Sequence, residues 1–238
     1  MKPNRVKAAM KEGRVALGYS LIFPSPHVIE ILAPFDFDFV WIDGEHGPFG
    51  LRELEEICRA AEAANVTPIA RVPNIQSSTI LQFLDRGIQG IMGPHIASKA
   101  DAEQLVRACY FGPMGERSFG GNRGCDYGFQ LDKPAYCKNA NDNILVSALL
   151  EDKDVMQNLD EILSVPGIDY FLVGPNDFAQ GMGYPGGAHL PEVKKAIDQV
   201  YARIHEAGRK TESDVLRLLN IRDCLVAAAQ SFVLERQS

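Results

Sequence analysis

Residues 37–72 read FDFVWIDGEHGPFGLRELEEICRAAEAANVTPIARV and contain one complete strand-helix-strand unit. The short apolar runs at 37–42 and 67–72 predict strands, whereas apolar side chains at i, i+3 and i+4 spacing predict a helix over 51–64. A helix between two such runs is typical of parallel strands that share one sheet. The unit therefore predicts an α/β fold.

The same alternation continues along most of the chain and gives six β/α units in total. The pattern favours a (β/α)8 TIM barrel, although a doubly wound open sheet has the same alternation. No GxGxxG or GxxxxGK[ST] stretch follows an early strand, which removes the usual nucleotide-binding reason for the open sheet. The remaining strands are predicted at 15–22, 90–93, 144–150 and 170–173, and the remaining helices at 77–85, 100–109, 155–163 and 191–207.

The segment from Gly208 onward has a weaker pattern. Residues 214–219 predict either a strand or a helix, and residues 224–234 predict a last helix. The seventh and eighth strands of the barrel are therefore not defined by the sequence.

Length and composition describe one ordinary globular domain. Hydrophobic residues make up 46% of the 238 positions and no linker divides the chain, so a single barrel domain is predicted over residues 1–238. The formal net charge is −7, and the sequence contains no cluster of Lys and Arg, which argues against a nucleic-acid partner. No apolar stretch has the length of a membrane span or a signal-peptide core, so we expect no membrane partner and a cytoplasmic location. The five cysteines lack CxxC spacing and predict reduced thiols.

Ionisable side chains follow five of the predicted strands, at the point where each strand ends. In a parallel barrel these ends meet at one mouth, so carboxylates, an arginine and histidines are expected in a single cleft. Glu151 and Asp177 follow consecutive strands about 4.8 Å apart and can share one ion, for which oxygen ligands favour magnesium or manganese. The ionisable residues are Asp43, Glu45 and His46 after the second strand, Arg71 at the end of the third, His95 after the fourth, Glu151 and Asp152 after the fifth, and Asp177, preceded by the polar Asn176, after the sixth.

Successive motifs between residue 14 and Gly187 read, in order, FDFVWIDGEHGPFG, PIARVPN, GIQGIMGPHI, RACYFGPMGERSFGG and VPGIDYFLVGPNDFAQGMGYPG. In this order they resemble the motifs of the HpcH/HpaI aldolase family. The resemblance implies a TIM barrel of the phosphoenolpyruvate/pyruvate type, a divalent metal (magnesium, manganese or another divalent ion) and chemistry on 2-oxo acids.

Carried over position by position, the resemblance implies a role for each residue of the cleft. Arg71 would stabilise an enolate, and His46, held by Asp43, would act as the base at neutral pH. The implied metal ligands are Glu151 and Asp177, the implied catalytic residues are Asp43, His46 and Arg71, and the implied substrate contacts are Arg71, Leu149, Gly174, Pro175 and Asn176.

Each role has a purely structural alternative. Asp177 is a residue type that opens helices, Arg71 has the alternative of an ion pair at the rim, and Asp43 has the alternative of capping the turn before Gly44. His46 has the alternative of a positional role, and His95 is expected to line or support the cleft. A role at the mouth is expected for the Gly-rich 112–128 loop.

The function that follows is that of a class II, metal-dependent aldolase acting on pyruvate, or a close 2-oxo acid, and an aldehyde. No lysine ends a predicted strand, so a Schiff-base mechanism is not expected. Many family members have Gln where this chain has Leu149, which leaves open a citrate-synthase-like condensation of an acetyl donor with oxaloacetate. An acyl-CoA lyase resembling the citrate lyase β-subunit and an inactive barrel used as a scaffold are further alternatives.

The C-terminal segment 205–230 is shorter than the family pattern and lacks its Gly-rich stretch. Family members form oligomers, commonly by exchange of the last helix, so a homo-oligomer (a trimer or hexamer) is expected. The alternative for the apolar face of this helix is burial in its own barrel.

Overall fold

Seven parallel strands form one curled sheet in the computed structural model, which describes residues 2–129 and 132–234. Residues 1, 130, 131 and 235–238 of the predicted domain lie outside the described residues. The strands are β1 (Ala16–Leu21), β2 (Phe39–Asp43), β3 (Thr67–Arg71), β4 (Gly90–Gly93), β5 (Leu145–Leu150), β6 (Tyr170–Val173) and β7 (Leu216–Asn220), and their order in the sheet is β6-β5-β4-β3-β2-β1-β7.

Most helices follow a strand and cover the outer face of the sheet, whereas Val6 and Ala9 of the first helix (Arg5–Lys11) belong to the buried cluster inside the sheet. The six strands and five helices that the sequence predicts upstream of Gly208 are confirmed, with ends that agree within two residues. No helix in the described part of the chain is both long and apolar enough to cross a membrane. The helices are α1 (Arg5–Lys11), α2 (Pro26–Leu32), α3 (Leu51–Ala63), α4 (Ser77–Asp85), α5 (Lys99–Cys109), α6 (Lys133–Asn143), α7 (Val155–Leu163), α8 (Pro175–Gly181), α9 (Pro191–Glu206), α10 (Glu212–Val215) and α11 (Ile221–Leu234), with 3-10 turns at Ala33–Phe35 and Arg123–Gly128.

Alternate residues of the strands fill the interior of the barrel. Phe39, Ile69, Leu149 and Tyr170 belong to one buried cluster inside the sheet, and their neighbours along each strand pack outward against the helices. Gly18 is required by this packing, because a Cβ atom at that position would lie 2.5 Å from the Phe39 ring. The barrel is therefore a filled core whose open end carries the polar residues.

The barrel closes through a very short contact between β6 and the segment just before α10. The amide of Phe171 in β6 donates to the carbonyl of Lys210 (2.9 Å), and Phe171 forms a single parallel bridge with Thr211. The chain then passes through α10 into β7, which pairs with β1 over five residues. The predicted barrel is confirmed, but a single bridge stands where an eight-stranded barrel would have its seventh strand.

The last helix is mostly exposed. Ile221 is the buried residue of α11, whereas Leu225, Phe232 and Val233 are 58%, 75% and 55% exposed. Burial of this helix in its own barrel is therefore not observed in the described residues. Exposed apolar side chains on a terminal helix agree with an oligomer, which stays a prediction.

Asp38 connects the first segments of the chain by hydrogen bonds at the N-terminal end of the barrel. Its side chain is almost fully buried and accepts hydrogen bonds from Arg14 (2.6 and 2.9 Å), Arg5 (3.3 Å) and the amide of Leu17 (3.0 Å). Burial alone would raise the pKa of Asp38, but the hydrogen bonds from Arg14 and Leu17 lower it below its ordinary value.

We expect Asp38→Asn to destabilise the protein by about 2–3 kcal/mol at pH 7, because it removes a buried acceptor of several charged hydrogen bonds. A carboxyl with a lowered folded-state pKa stabilises the fold above its unfolded pKa and loses that effect as pH falls through the folded value. The difference between wild type and variant should therefore shrink below about pH 4. Urea unfolding at pH 7 and pH 3 measures both values.

Asp36→Asn is the matched control, since the Asp36 side chain is 85% exposed and bonds Arg5 alone among the described residues. Its effect should stay within about 0.5 kcal/mol. Equal losses in the two variants at pH 7 would contradict the assignment of this role to Asp38.

Candidate active site

The polar side chains of the cleft continue the inward-facing rows of the barrel strands. Asp43 lies four residues after Phe39 on β2, and Glu151 lies two residues after Leu149, so each points to the same side as a residue of the inner core. Arg71 ends β3 directly beside Asp43, its partner in the strand register. The two-residue period of the strands thus places these groups above the filled core, at the C-terminal mouth.

Arg71 and Asp43 form a two-pronged ion pair at the mouth. Arg71 Nε lies 3.0 Å from Asp43 Oδ1 and Arg71 Nη2 lies 2.7 Å from Asp43 Oδ2, while Arg71 Nη1 lies 3.1 Å from Glu45 Oε2. Burial alone would raise the pKa of Asp43, but the hydrogen bonds from Arg71 and from the His46 amide lower it. Arg71 is therefore held in one orientation, charged, and only 14% exposed.

His46 is placed at the mouth through its backbone. Asp43 Oδ1 accepts the amides of Glu45 (3.3 Å) and His46 (3.2 Å), so Asp43 caps this turn as well as pairing with Arg71. The imidazole of His46 is 66% exposed, and its Nε2 lies 4.0 Å from Glu45 Oε2. Asp43 thus fixes the chain at His46, and the ring itself reaches toward solvent.

Glu151 is the most buried carboxylate of the cleft, at 3% exposure. Its Oε1 accepts the amide of His95 (3.0 Å), and its Oε2 faces Gly174, where a Cβ atom would lie only 2.5 Å away. Burial raises the pKa of Glu151, and although His95 opposes this shift, the nearby carboxylates of Glu45 and Asp177 add to it. The ionised form is thus disfavoured until a cation compensates it.

His95 has more contacts in the cleft than its expected lining or supporting role suggested. Its Nδ1 lies 3.2 Å from Glu151 Oε1 and its Nε2 lies 3.3 Å from Glu45 Oε1, so the ring joins two carboxylates from different strand ends. Its φ angle of +54° is in the left-handed region, which is unfavourable for a residue with a side chain. The one signal in the sequence was its position directly after Pro94 and β4.

Asp177 lies in the first turn of α8, three residues after the Gly174 N-cap, so it is not itself the N-cap. Its side chain is exposed, and its charge acts on Glu151. The amide of Gly174 is used by the Leu150 carbonyl (3.1 Å), and Pro175 has no amide hydrogen. The amides of Asn176 and Asp177 are therefore the donors that this turn offers to a ligand.

The cleft fits a divalent cation held by few protein ligands. No group of three or more His, Cys, Asp and Glu in ligand geometry occurs among the described residues. A hard cation such as magnesium commonly takes one or two carboxylates and completes its shell with water and substrate oxygens. Burial raises the pKa of Glu151, and the charges of Glu45 and Asp177 raise it further, so these three carboxylates could supply negative charge for such an ion.

The 112–128 loop lies at the opposite end of the barrel, so its expected role at the mouth of this chain is wrong. Arg123 forms an ion pair with Glu62 near the end of α3, and Tyr110 donates to the Gly167 carbonyl (2.8 Å) ahead of β6. The reason is topological: α5 begins at the mouth and runs back along the barrel. The segment after it therefore starts at the N-terminal face.

Comparison with known proteins agrees with this geometry. The family profile described as HpcH/HpaI aldolase/citrate lyase matches residues 21–233. A 4-hydroxy-2-oxovalerate aldolase from Novosphingobium aromaticivorans is 37% identical over 87% of this chain and 78% of its own length. A hydroxypyruvate/pyruvate aldolase from Roseovarius nubinhibens is 35% identical over 87% of this chain and 80% of its own.

Solved structures give the same result. A family protein from Burkholderia cenocepacia superimposes with a TM-score of 0.88 at 27% identity, covering 99% of this chain and 100% of its own. A citrate synthase superimposes with a TM-score of 0.81 at 26% identity, covering 98% of both chains. The barrel, the motifs and these similarities together show that the chain belongs to the HpcH/HpaI aldolase/citrate lyase family.

Proposed function

We propose that the protein is a metal-dependent aldolase that makes or breaks a carbon-carbon bond between the enolate of pyruvate, or a close 2-oxo acid, and an aldehyde. The observation that carries the proposal is the cluster of Arg71, Asp43, Glu45, His95 and Glu151, joined by contacts of 2.7 to 3.3 Å at the mouth of the barrel. Family relatives named as aldolases of 2-oxo acids support it.

Glu151 and Asp177 would hold the cation, with magnesium or manganese as the preferred ions. When bound, the cation would act as a Lewis acid on the keto group of the 2-oxo acid. Glu151 suits this role because it is buried, fixed by the His95 amide and crowded by other carboxylates. Asp177 suits it because it follows the next strand and its charge acts on Glu151.

Arg71 would contact the oxygen on which negative charge develops. Its guanidinium is held by Asp43 and Glu45 before any substrate arrives, so it does not have to reorganise during the reaction. The carboxylate of the 2-oxo acid would accept from the amides of Asn176 and Asp177. Gly174 and Pro175 would contribute shape, since one amide is already used and the other is missing.

His46 would move the proton. In the cleavage direction a base takes the proton from the hydroxyl on C4, the C3–C4 bond breaks, and its electron pair remains on C3 as the enolate. The exposed imidazole of His46 is the base at the mouth, acting through a water molecule, and Asp43 keeps its backbone in place.

Citrate-forming condensation of an acetyl donor with oxaloacetate is the second candidate. Leu149 is 4% exposed, and its Cδ1 would be 3.4 Å from a Cβ atom on Gly174, so an apolar group lies beside the proposed binding position of the acid. The similarity to a citrate synthase structure points the same way. The aldolase names of relatives at 35–37% identity favour the first candidate.

The deciding experiment is exchange of pyruvate methyl protons in deuterated water, followed by proton NMR with added magnesium or manganese. Metal-dependent exchange that EDTA abolishes would support enolate chemistry on pyruvate. A protein that binds manganese in calorimetry and turns over oxaloacetate, but does not exchange pyruvate protons, would favour the condensation reaction instead.

We expect His95→Ala to weaken manganese binding about tenfold, because the ring fixes both Glu45 and Glu151 and loss of such an orienting contact typically costs 10–100-fold in metal affinity. Isothermal titration calorimetry measures the affinity. His205→Ala is the control and should bind as wild type, because this exposed side chain lies near the end of α9, at the opposite end of the barrel from the cleft. Unchanged affinity in His95→Ala would show that the backbone contact to Glu151 is sufficient.

A further inference from the structure

A cavity of about 600 Å³ lies at the N-terminal end of the barrel, on the face opposite to the candidate active site. Its walls come from the N-terminal segment, the ends of α3, α4 and α6, the starts of β3 and β4, and the segment 117–127. None of the residues placed in the active site lines it. A ligand held there would occupy a second, independent site.

The cavity is basic although the protein is acidic. Four basic side chains and one carboxylate, Glu62, are among its lining residues, whereas the whole chain has a formal charge of −7. Some of these charges are engaged by ion pairs at the rim, where Arg123 pairs with Glu62 and Arg5 with Asp36. The basic lining residues are Lys2, Arg5, Arg117 and Arg123.

Arg117 is the lining cation with a buried hydrogen-bond donor that has no partner among the described residues. Its side chain is 5% exposed, and its buried Nε has no hydrogen-bond partner in the described part of the protein. The nearest carboxylate in the described ion pairs is that of Asp85, with Nη2 3.7 Å from Oδ1, and that oxygen also lacks a partner. The guanidinium stacks over the Phe111 ring at 4.6 Å, which keeps it in place.

A buried guanidinium with unused donors is costly, and an anion that accepts two parallel N–H bonds removes that cost. Carboxylate and phosphate groups both have this geometry. Part of the lining is apolar and includes Val66, Leu84, Ile88 and Ile144, and a cavity of this size accommodates a whole small molecule.

We propose that this cavity binds a small organic anion, with its carboxylate or phosphate on Arg117 and its apolar body against the wall formed by β3, β4 and α4. Thr67 and Gln89, which line the cavity, stand at or next to the starts of β3 and β4, whose far ends lead to Arg71 and His95. The site is thus connected to the active site through two strands of the barrel. It does not depend on the proposed reaction.

The test is calorimetric titration of the full-length, metal-free protein with phenyl phosphate, inorganic phosphate and benzoate in separate experiments. Saturable binding of one equivalent of phenyl phosphate or benzoate is expected, and comparison of the three shows whether phosphate or carboxylate is preferred and whether the apolar body contributes. Arg117→Gln should weaken binding about tenfold or more. Arg52→Gln, whose side chain is 87% exposed on α3, is the matched control and should bind as wild type.

Two further variants keep the result interpretable. Lys2→Gln changes an exposed residue of the cavity rim that has no place in the core, and it should weaken binding about threefold even if Arg117→Gln is poorly folded. Arg71→Gln removes the guanidinium of the active site and should leave binding unchanged. Loss of binding in Arg71→Gln with retention in Lys2→Gln, or no saturable binding of any of the three anions, would overturn the proposal.

Discussion

Glu151→Gln is expected to show no manganese binding at millimolar metal concentrations. It should also reduce metal-dependent exchange of pyruvate protons by about 10³-fold or more. The substitution keeps the size of the side chain and an oxygen that accepts the His95 amide, so the local structure should be retained. It removes the charge that the cation requires. Calorimetry and proton NMR in deuterated water measure the two effects on the same samples.

The stability of this variant tests the same role of Glu151 independently. Burial and neighbouring carboxylates raise the pKa of Glu151, so at neutral pH its ionised form opposes folding in the absence of metal. Metal-free Glu151→Gln should therefore be at least as stable as wild type, and manganese should stabilise only the wild type. Glu161→Gln, an exposed residue on α7 with the same change of charge, is the control. If Glu151→Gln still binds manganese, the cation is held by other ligands and the assignment of Glu151 is wrong.

Arg71→Lys is expected to lower kcat for 2-oxo acid cleavage or exchange by about 10²–10³-fold, with a smaller rise in KM. Lysine keeps the positive charge that balances Asp43 and Glu45 but loses the flat fork that makes three contacts of 2.7 to 3.1 Å. A loss mainly in kcat would indicate that Arg71 acts on the charge that develops during the reaction.

Arg52→Lys is the matched control, because this side chain is 87% exposed and pairs only with Glu56 among the described residues. Manganese affinity should be nearly unchanged in Arg71→Lys, which separates this variant from Glu151→Gln. Wild-type kcat in Arg71→Lys would contradict the role, since any positive charge would then suffice at this position.

Much of the barrel could be predicted because its repeating unit is local. The apolar runs and the i, i+3, i+4 pattern placed six strands and five helices within two residues of their observed ends. The residues after those runs included Asp43, Arg71 and Glu151, which the structure brings into one cleft. This was predictable because the C-terminal ends of parallel strands meet whatever the details of packing.

The C-terminal closure was not predictable, because it depends on a contact without a pattern. A single bridge between Phe171 and Thr211 joins the last part of the barrel to β6, and one residue has no periodicity that a sequence reading can detect. The five residues of β7 are largely exposed, so the usual alternation of buried and exposed positions is missing there as well.

The sequence by itself determined the alternation of strands and helices, the family motifs and the set of ionisable groups at the strand ends, because each depends on residues that are close along the chain. The tertiary structure alone decided that His95 bridges Glu45 and Glu151, that the 112–128 loop lies at the N-terminal face, and that Lys2 and Arg117 line one cavity. The physical reason is that these contacts join distant segments, and their distances are fixed only when the helices and strands pack around the common core.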